Sequence, residues 1–143
     1  MNVRRWVVAS VVVTVVVAIL EMIIHGVILQ QIYQETAAVW RPQSEMRSLG
    51  PLMWLGYAIF APFFVWIYAH GIDPKEDALG QGIRFGLMFG IGLSAMSSLV
   101  WYAVLPIPQN LAFGWFLAGV AVYTAAGVAA ALAYRPPAKR RRR

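Results

Sequence analysis

Four stretches of this chain, each about as long as a bilayer is thick, carry almost no charge. They cover approximately residues 6–29, 51–68, 83–105 and 111–134. A run of about 18 or more apolar residues is long enough for a helix to cross the hydrocarbon core. Backbone polar groups in lipid must be satisfied within the segment, so each run is expected to be a helix. Only 13% of the 143 residues are charged, against about 25% in soluble domains. No soluble core of this size hides that much apolar surface. The expectation is an all-α, integral membrane bundle of four transmembrane helices in one domain, residues 1–143, with a basic cytoplasmic tail at 135–143.

The connections supply the stops. Arg4 and Arg5 precede the first apolar run, and the start resembles a signal peptide. The run is too long and lacks an A-x-A cleavage pattern, so a retained anchor is expected. No Gly or Pro falls between Val27 and Arg41, so the helix is expected to continue to about Val39, where Arg41-Pro42 ends it. Pro51 suits a first helical turn, and Pro62 is expected to kink the second span. Asp73, Pro74 and Glu76 have the spacing of a capped helix start. Pro106-Ile107-Pro108 forces a tight turn before the last span.

Orientation follows from the basic residues. With four spans, the termini share a side with the second loop. That side holds Arg4, Arg5, Lys75, Arg84, Arg135, Lys139, Arg140, Arg141, Arg142 and Arg143, ten in all; the other holds Arg41 and Arg47. Basic loops stay cytoplasmic, so an N-in/C-in topology is expected. Trp6, Trp66 and Tyr134 then fall near the inner interface, and Trp54, Trp101 and Trp115 near the outer one. The net charge of +6 largely reports the tail. Residues 139–143 are read as gripping anionic lipid headgroups, at about 1 kcal/mol per basic residue, in preference to nucleic acid.

Gly82, Gly86, Gly90 and Ser94 recur every four residues in span three, and Ala121, Ala125, Ala129 and Ala133 do so in span four. Small residues at that spacing line one helix face and let another backbone approach. The two rows are expected to pack on each other; the sharper reading is a seam to another subunit.

Ser10, Thr14, Glu21 and His25 share a face of the first helix, and Glu21 and His25 are one turn apart. An ionisable residue inside an apolar span is a functional hypothesis by default. The plainer reading is a polar pair that fixes helix packing. Glu21 lies about 22 Å along the helix from Trp6, within a core of about 30 Å, so it belongs to the outer third. Tyr57, Ser97, Ser98, Tyr102 and Asn110 share that depth and are candidates to join it in a polar pocket. Haem held by two histidines is excluded on depth, since His25 and His70 fall near opposite surfaces. The absence of cysteine removes thiolate metal sites and cysteine nucleophiles. No phosphate loop, metal cluster or Ser-His-Asp set appears, and no cofactor is expected.

Arg41-Pro42, the span-three glycines, Tyr102 through Pro108 and the closing Tyr134-Arg135-Pro136 resemble an uncharacterised group of small bacterial four-span inner-membrane proteins. The resemblance implies a multi-pass protein of the bacterial inner membrane and no particular activity. The function these features favour is non-enzymatic: a small accessory or packing subunit that binds other membrane helices, as a homo-oligomer or in a larger membrane complex. The alternative is a small dimeric transporter or proton-coupled carrier using Glu21 and His25. A third is an enzyme acting on a lipid or quinone in the outer leaflet.

Overall fold

In a computed structural model, residues 1–73 and 75–134 are described; the tail residues 139–143 read above as gripping lipid lie outside them. Helix α1 spans Val3–Ile23 and is capped by Asn2, whose side chain accepts from the Arg5 N–H at 3.1 Å. A π-turn, Ile24–Ile28, continues it. Three short pieces follow: α2 (Gln30–Glu35), a 3₁₀ turn (Ala37–Val39) and α3 (Gln43–Ser48). The long helices α4 (Gly50–His70), α5 (Ala78–Val104) and α6 (Gln109–Ala133) complete the chain. Among the described residues there is no strand.

Four segments are long and apolar enough to cross a membrane: Val3–Ile28, Gly50–His70, Ala78–Val104 and Gln109–Ala133. The shortest, with 21 residues, is about 31 Å long at 1.5 Å per residue. Between 17% and 33% of each apolar window is buried inside the bundle, so these helices are apolar on their outward faces too. Val7, Val11, Val15 and Ile19 form one such exposed row.

α1 packs against α4 and α6, and α5 against α6. Ala9, Val13 and Val17 of α1 share a buried core with Ala61, Phe64 and Val65 of α4 and Val122, Ala126 and Ala130 of α6. α4 reaches α5 through rings: Phe64 lies 4.8 Å from Phe85 and 5.1 Å from Phe89, centroid to centroid. Offset and edge-on rings suit the aromatic quadrupole. Trp6 Nε1 donates to the Pro62 carbonyl at 2.9 Å, and the Asn2 N–H donates to Tyr134 Oη at 3.2 Å. The start of α1, the end of α4 and the end of α6 therefore lie at one end of the bundle, and the π-turn lies toward the other.

The glycine row of α5 packs within the chain, but not on the alanine row of α6. A methyl group at Gly82 would lie 2.5 Å from the Gly127 carbonyl oxygen and 2.6 Å from Ala131 Cβ. One at Gly86 would overlap the Tyr123 carbonyl oxygen, and one at Gly127 the Gly82 carbonyl oxygen. The facing row is Gly119, Tyr123, Gly127 and Ala131. It has the same four-residue spacing as the alanines but holds two glycines, and glycine permits the closest backbone approach. Ala121 is exposed, Ala125 and Ala133 are half-buried, and Ala129 belongs to the core cluster containing α1 and α4.

Two local expectations are corrected. α5 is capped by Asp77, whose carboxylate accepts from the Gly80 N–H at 2.7 Å. Asp73 instead accepts from the Lys75 N–H, while Gln81 holds its backbone on both sides: the Asp73 N–H donates to Oε1 at 2.8 Å, and Nε2 donates to the Asp73 carbonyl at 2.9 Å. A local side-chain turn has competed with a helix start there. The first helix does not run unbroken to Val39. Its register changes where the Leu29 N–H bonds to the Ile24 carbonyl, five residues back, and Leu29 leaves helical geometry at φ −94°, ψ 4°. Beyond Pro42 the chain is helical again, with Glu45 in the first turn of α3 and Arg47 in the last, charges that suit the helix dipole.

Candidate functional site

The π-turn sets up the polar site. An extra residue in the turn rotates everything after it relative to α1, and such turns recur at functional sites. Leu29, buried at the end of the turn, sits over Gly114 of α6, where a methyl group would lie 3.2 Å from Leu29 Cδ2. Around that contact Leu29, Ile107, Leu111 and Ala112 form a second buried cluster, flanked by Ile32, Tyr33, Val39, Trp40 and Trp115. The cluster docks α2 and the 3₁₀ turn against the start of α6.

Docking brings four side chains into a line. Glu21 Oε2 lies 3.0 Å from His25 Nε2. His25 Nδ1 lies 2.5 Å from Tyr33 Oη, and Trp115 Nε1 donates to Tyr33 Oη at 2.6 Å. The donor inventory gives the line a direction, assigned from groups rather than from hydrogen positions. Indole N–H only donates, so Tyr33 accepts from Trp115 and keeps its own proton to offer to His25 Nδ1, which takes it when the imidazole is the Nε2–H tautomer. His25 Nε2–H then donates to the Glu21 carboxylate. Burial pushes the Tyr33 phenol up; the Trp115 hydrogen bond opposes this and the negative charge of Glu21 adds to it. Tyr33 thus stays a donor. Rings brace the line: Tyr33 meets Trp40 edge-on at 5.4 Å, Trp40 meets Trp115 at 6.0 Å, and Trp40 Nε1 donates to Thr36 Oγ1 at 2.9 Å.

The line borders two adjoining spaces. On one side lies an open groove of about 1070 Å³, near the upper end of the usual range for ligand sites, about 300–1,000 Å³. Met22, Met46, Met53 and Trp54 give it apolar walls, and Gln30, Gln34, Arg41 and Arg47 a polar rim. Arg41 pairs with Glu45 across one turn of the rim. Beside it lies a smaller, likewise open cavity of about 280 Å³ bounded by α5 and α6, with Ser94, Ser97, Ser98, Trp101, Gly119 and Tyr123 in its lining. Glu21, His25, Tyr33 and Trp115 face both.

The candidate residues divide accordingly. Tyr57 lines the groove, with its ring edge-on to Trp54, and Ser97 and Ser98 line the cavity. Tyr102 and Asn110 line neither. Tyr102 is exposed, and Asn110 Oδ1 accepts from the Leu111 N–H in the first turn of α6. Ser10 and Thr14 share the face of Glu21, but both hydroxyls bond to carbonyls four residues back and are spent within α1. Ser94, read as a packing residue, lines the cavity with a buried hydroxyl that has no hydrogen-bond partner.

Sequence reading missed Tyr33 and Trp40 and gave Trp115 only an interfacial role. Their signal was compositional: a tyrosine and a tryptophan in a short polar segment right after a Glu-His pair in an apolar helix. Among the described residues no three His, Cys, Asp or Glu side chains gather to hold a metal. His70 lies at the other end of the bundle from His25, bonded through Nδ1 to the Trp66 carbonyl at 2.8 Å.

No family model matches the chain, and neither the curated proteins nor the solved structures include one that matches it.

Proposed function

We propose that this is a multi-pass protein of the bacterial inner membrane, with both termini cytoplasmic, and that it binds an amphiphilic molecule in the groove beside Glu21 and His25. The orientation rests on the ten-to-two division of basic residues. Reporter fusions at Ser44 and Gln109 should then read periplasmic and one at Asp73 cytoplasmic; the reverse pattern overturns it.

The groove carries the binding reading. It combines a methionine-rich apolar wall, a basic rim and a polar floor in one open concavity. Methionine suits a site that accepts flexible tails, because its side chain adapts to irregular shapes. The floor is held by hydrogen bonds from three separate segments, which is more order than a packing contact needs. With a diazirine-tailed phospholipid in mild detergent, crosslinks should concentrate on residues 22–34 and 43–57, and Met53→Trp should reduce them there. Labelling spread evenly over all four long helices would defeat the reading.

An accessory subunit that binds other membrane helices is supported by a different observation. Gly56 and Gly92 stand in mid-helix with nothing within 4 Å of where a side chain would start. Glycine inside a helix costs roughly 0.5–1 kcal/mol relative to alanine, and close approach by another helix would offset that cost. Gly92→Leu should then strip partner proteins from the mildly solubilised complex. Unchanged co-purification removes this reading and leaves the groove standing.

A further inference from the structure

We infer that the smaller cavity receives the ammonium head of a primary alkylamine or aminolipid whose tail lies in the groove. The inference rests on the groove reading and names the class of its ligand.

The first ground is charge. Glu21 forms part of the cavity wall, and no Lys or Arg does. Glu21 Oε2 takes the His25 hydrogen bond; among the described residues Oε1 has no hydrogen-bond partner. Its side chain is only a quarter exposed, and a carboxylate so placed favours a counter-charge. A phosphate or sulfate head would be repelled by the same oxygen.

The second ground is the aromatic lining. Trp101, Trp115 and Tyr123 bound this space, and the faces of tryptophan and tyrosine attract cations held over them.

The third ground is Ser94. Its Oγ is buried without a partner, at the spot where a side chain on residue 119 would collide with it. Buried polar atoms are nearly always satisfied; Ser94 lines the cavity, and a turn of its χ1 angle would offer the oxygen to a ligand N–H. A hydroxyl oxygen accepts from N–H, which favours a primary ammonium over a quaternary one. The cavity and the groove share Glu21, His25, Tyr33 and Trp115 in their linings, so a head in one and a tail in the other occupy adjoining spaces.

The test uses the full chain in neutral maltoside micelles at pH 7. Decylammonium should change the tryptophan fluorescence saturably, because Trp101 and Trp115 line the site, and decanol should not. Glu21→Gln should weaken decylammonium binding at least tenfold, and Trp101→Leu and Ser94→Ala several-fold each. Equal saturable binding of decanol, or undiminished binding by Glu21→Gln, overturns the ammonium assignment. Should Glu21→Gln fail to fold, the other two variants decide, and unchanged affinity in both overturns it. Repeating the photolabelling with a diazirine-tailed alkylamine beside the phospholipid separates the two levels: crosslinks of both enriched along the groove with no preference for the amine sink this inference alone, and crosslinks of both spread evenly sink the groove reading.

Discussion

Between Gly82 and Gly127 two helices come so close that a single added methyl group has no room, whereas between Met22 and Trp54 there is space for the tail of a ligand. Both regions belong to one bundle and one strongly apolar sequence. In the α5–α6 hairpin, a repeat of small residues every four positions puts backbone against backbone over several turns. At the groove end the register is broken by a π-turn, three short helical pieces replace one long one, and specificity comes from hydrogen bonds and ring contacts between segments far apart in sequence. Close packing without polar groups gives stability; open packing with a polar line gives a place to bind. The molecule separates the two along its length.

The sharpest way to break that contrast is to insert bulk into the hairpin. Gly127→Leu and Gly86→Leu should each destabilise the protein in detergent by about 3 kcal/mol or more, at the upper end of overpacking costs, because the obstructing atoms are backbone and cannot swing away. Gly92→Leu should not destabilise it, since nothing lies within 4 Å of it and losing a mid-helix glycine favours the helix by roughly 0.5–1 kcal/mol. If thermal unfolding ranks Gly127→Leu with Gly92→Leu, the hairpin is not held by close approach.

The unequal legibility of the two regions has the same origin as their packing. The glycine row of α5 is visible from spacing alone because a helix repeats its face every three to four residues. Its partner row was missed because the alanines are more numerous and equally spaced, and helix spacing does not say which of two small-residue faces looks at which neighbour. Gly119 and Gly127, in the midst of those alanines, were the discriminating residues. Glu21 and His25 were visible as polar residues in an apolar run. Tyr33 was not: its position depends on the π-turn, on Leu29 seating over Gly114, and on Trp115 some eighty residues away. These are tertiary facts, and no local pattern announces them. Tyr102 and Asn110 were grouped with the site because depth was the only coordinate available, and depth leaves the direction around the helix open.

The next test addresses the line at the groove end. Tyr33→Phe keeps the ring and removes the hydroxyl that accepts from Trp115 and donates to His25. Leaving a partly buried indole N–H without its acceptor costs about 1–3 kcal/mol. The loss should be local, because the hairpin and the core around Phe64 are untouched. Amide exchange should accelerate across residues 29–40 and stay unchanged across residues 82–94. Equal acceleration in both would mean that the two regions form one cooperative unit, and the contrast would fail.

The smallest effect concerns the point where sequence and structure disagree on the start of α5. Both Asp73 and Asp77 precede the helix, and both accept backbone hydrogen bonds, but only the Asp77 carboxylate reaches an N–H of the first turn. An N-cap side chain satisfies a donor that the helix cannot, and its loss costs typically about 1 kcal/mol. Asp77→Ala should therefore lower stability by about that amount and fray the first turn of α5. Asp73→Ala should cost less, because Gln81 still holds the Asp73 backbone N–H and carbonyl after the carboxylate is gone. Gln81→Ala would remove that support, so Asp73→Ala measured in the Gln81→Ala background should cost more than it does alone. Helix content and thermal midpoint in the same detergent decide the order. A larger loss for Asp73→Ala than for Asp77→Ala would return the cap to Asp73, and the first turn of α5 would then begin ahead of Ala78.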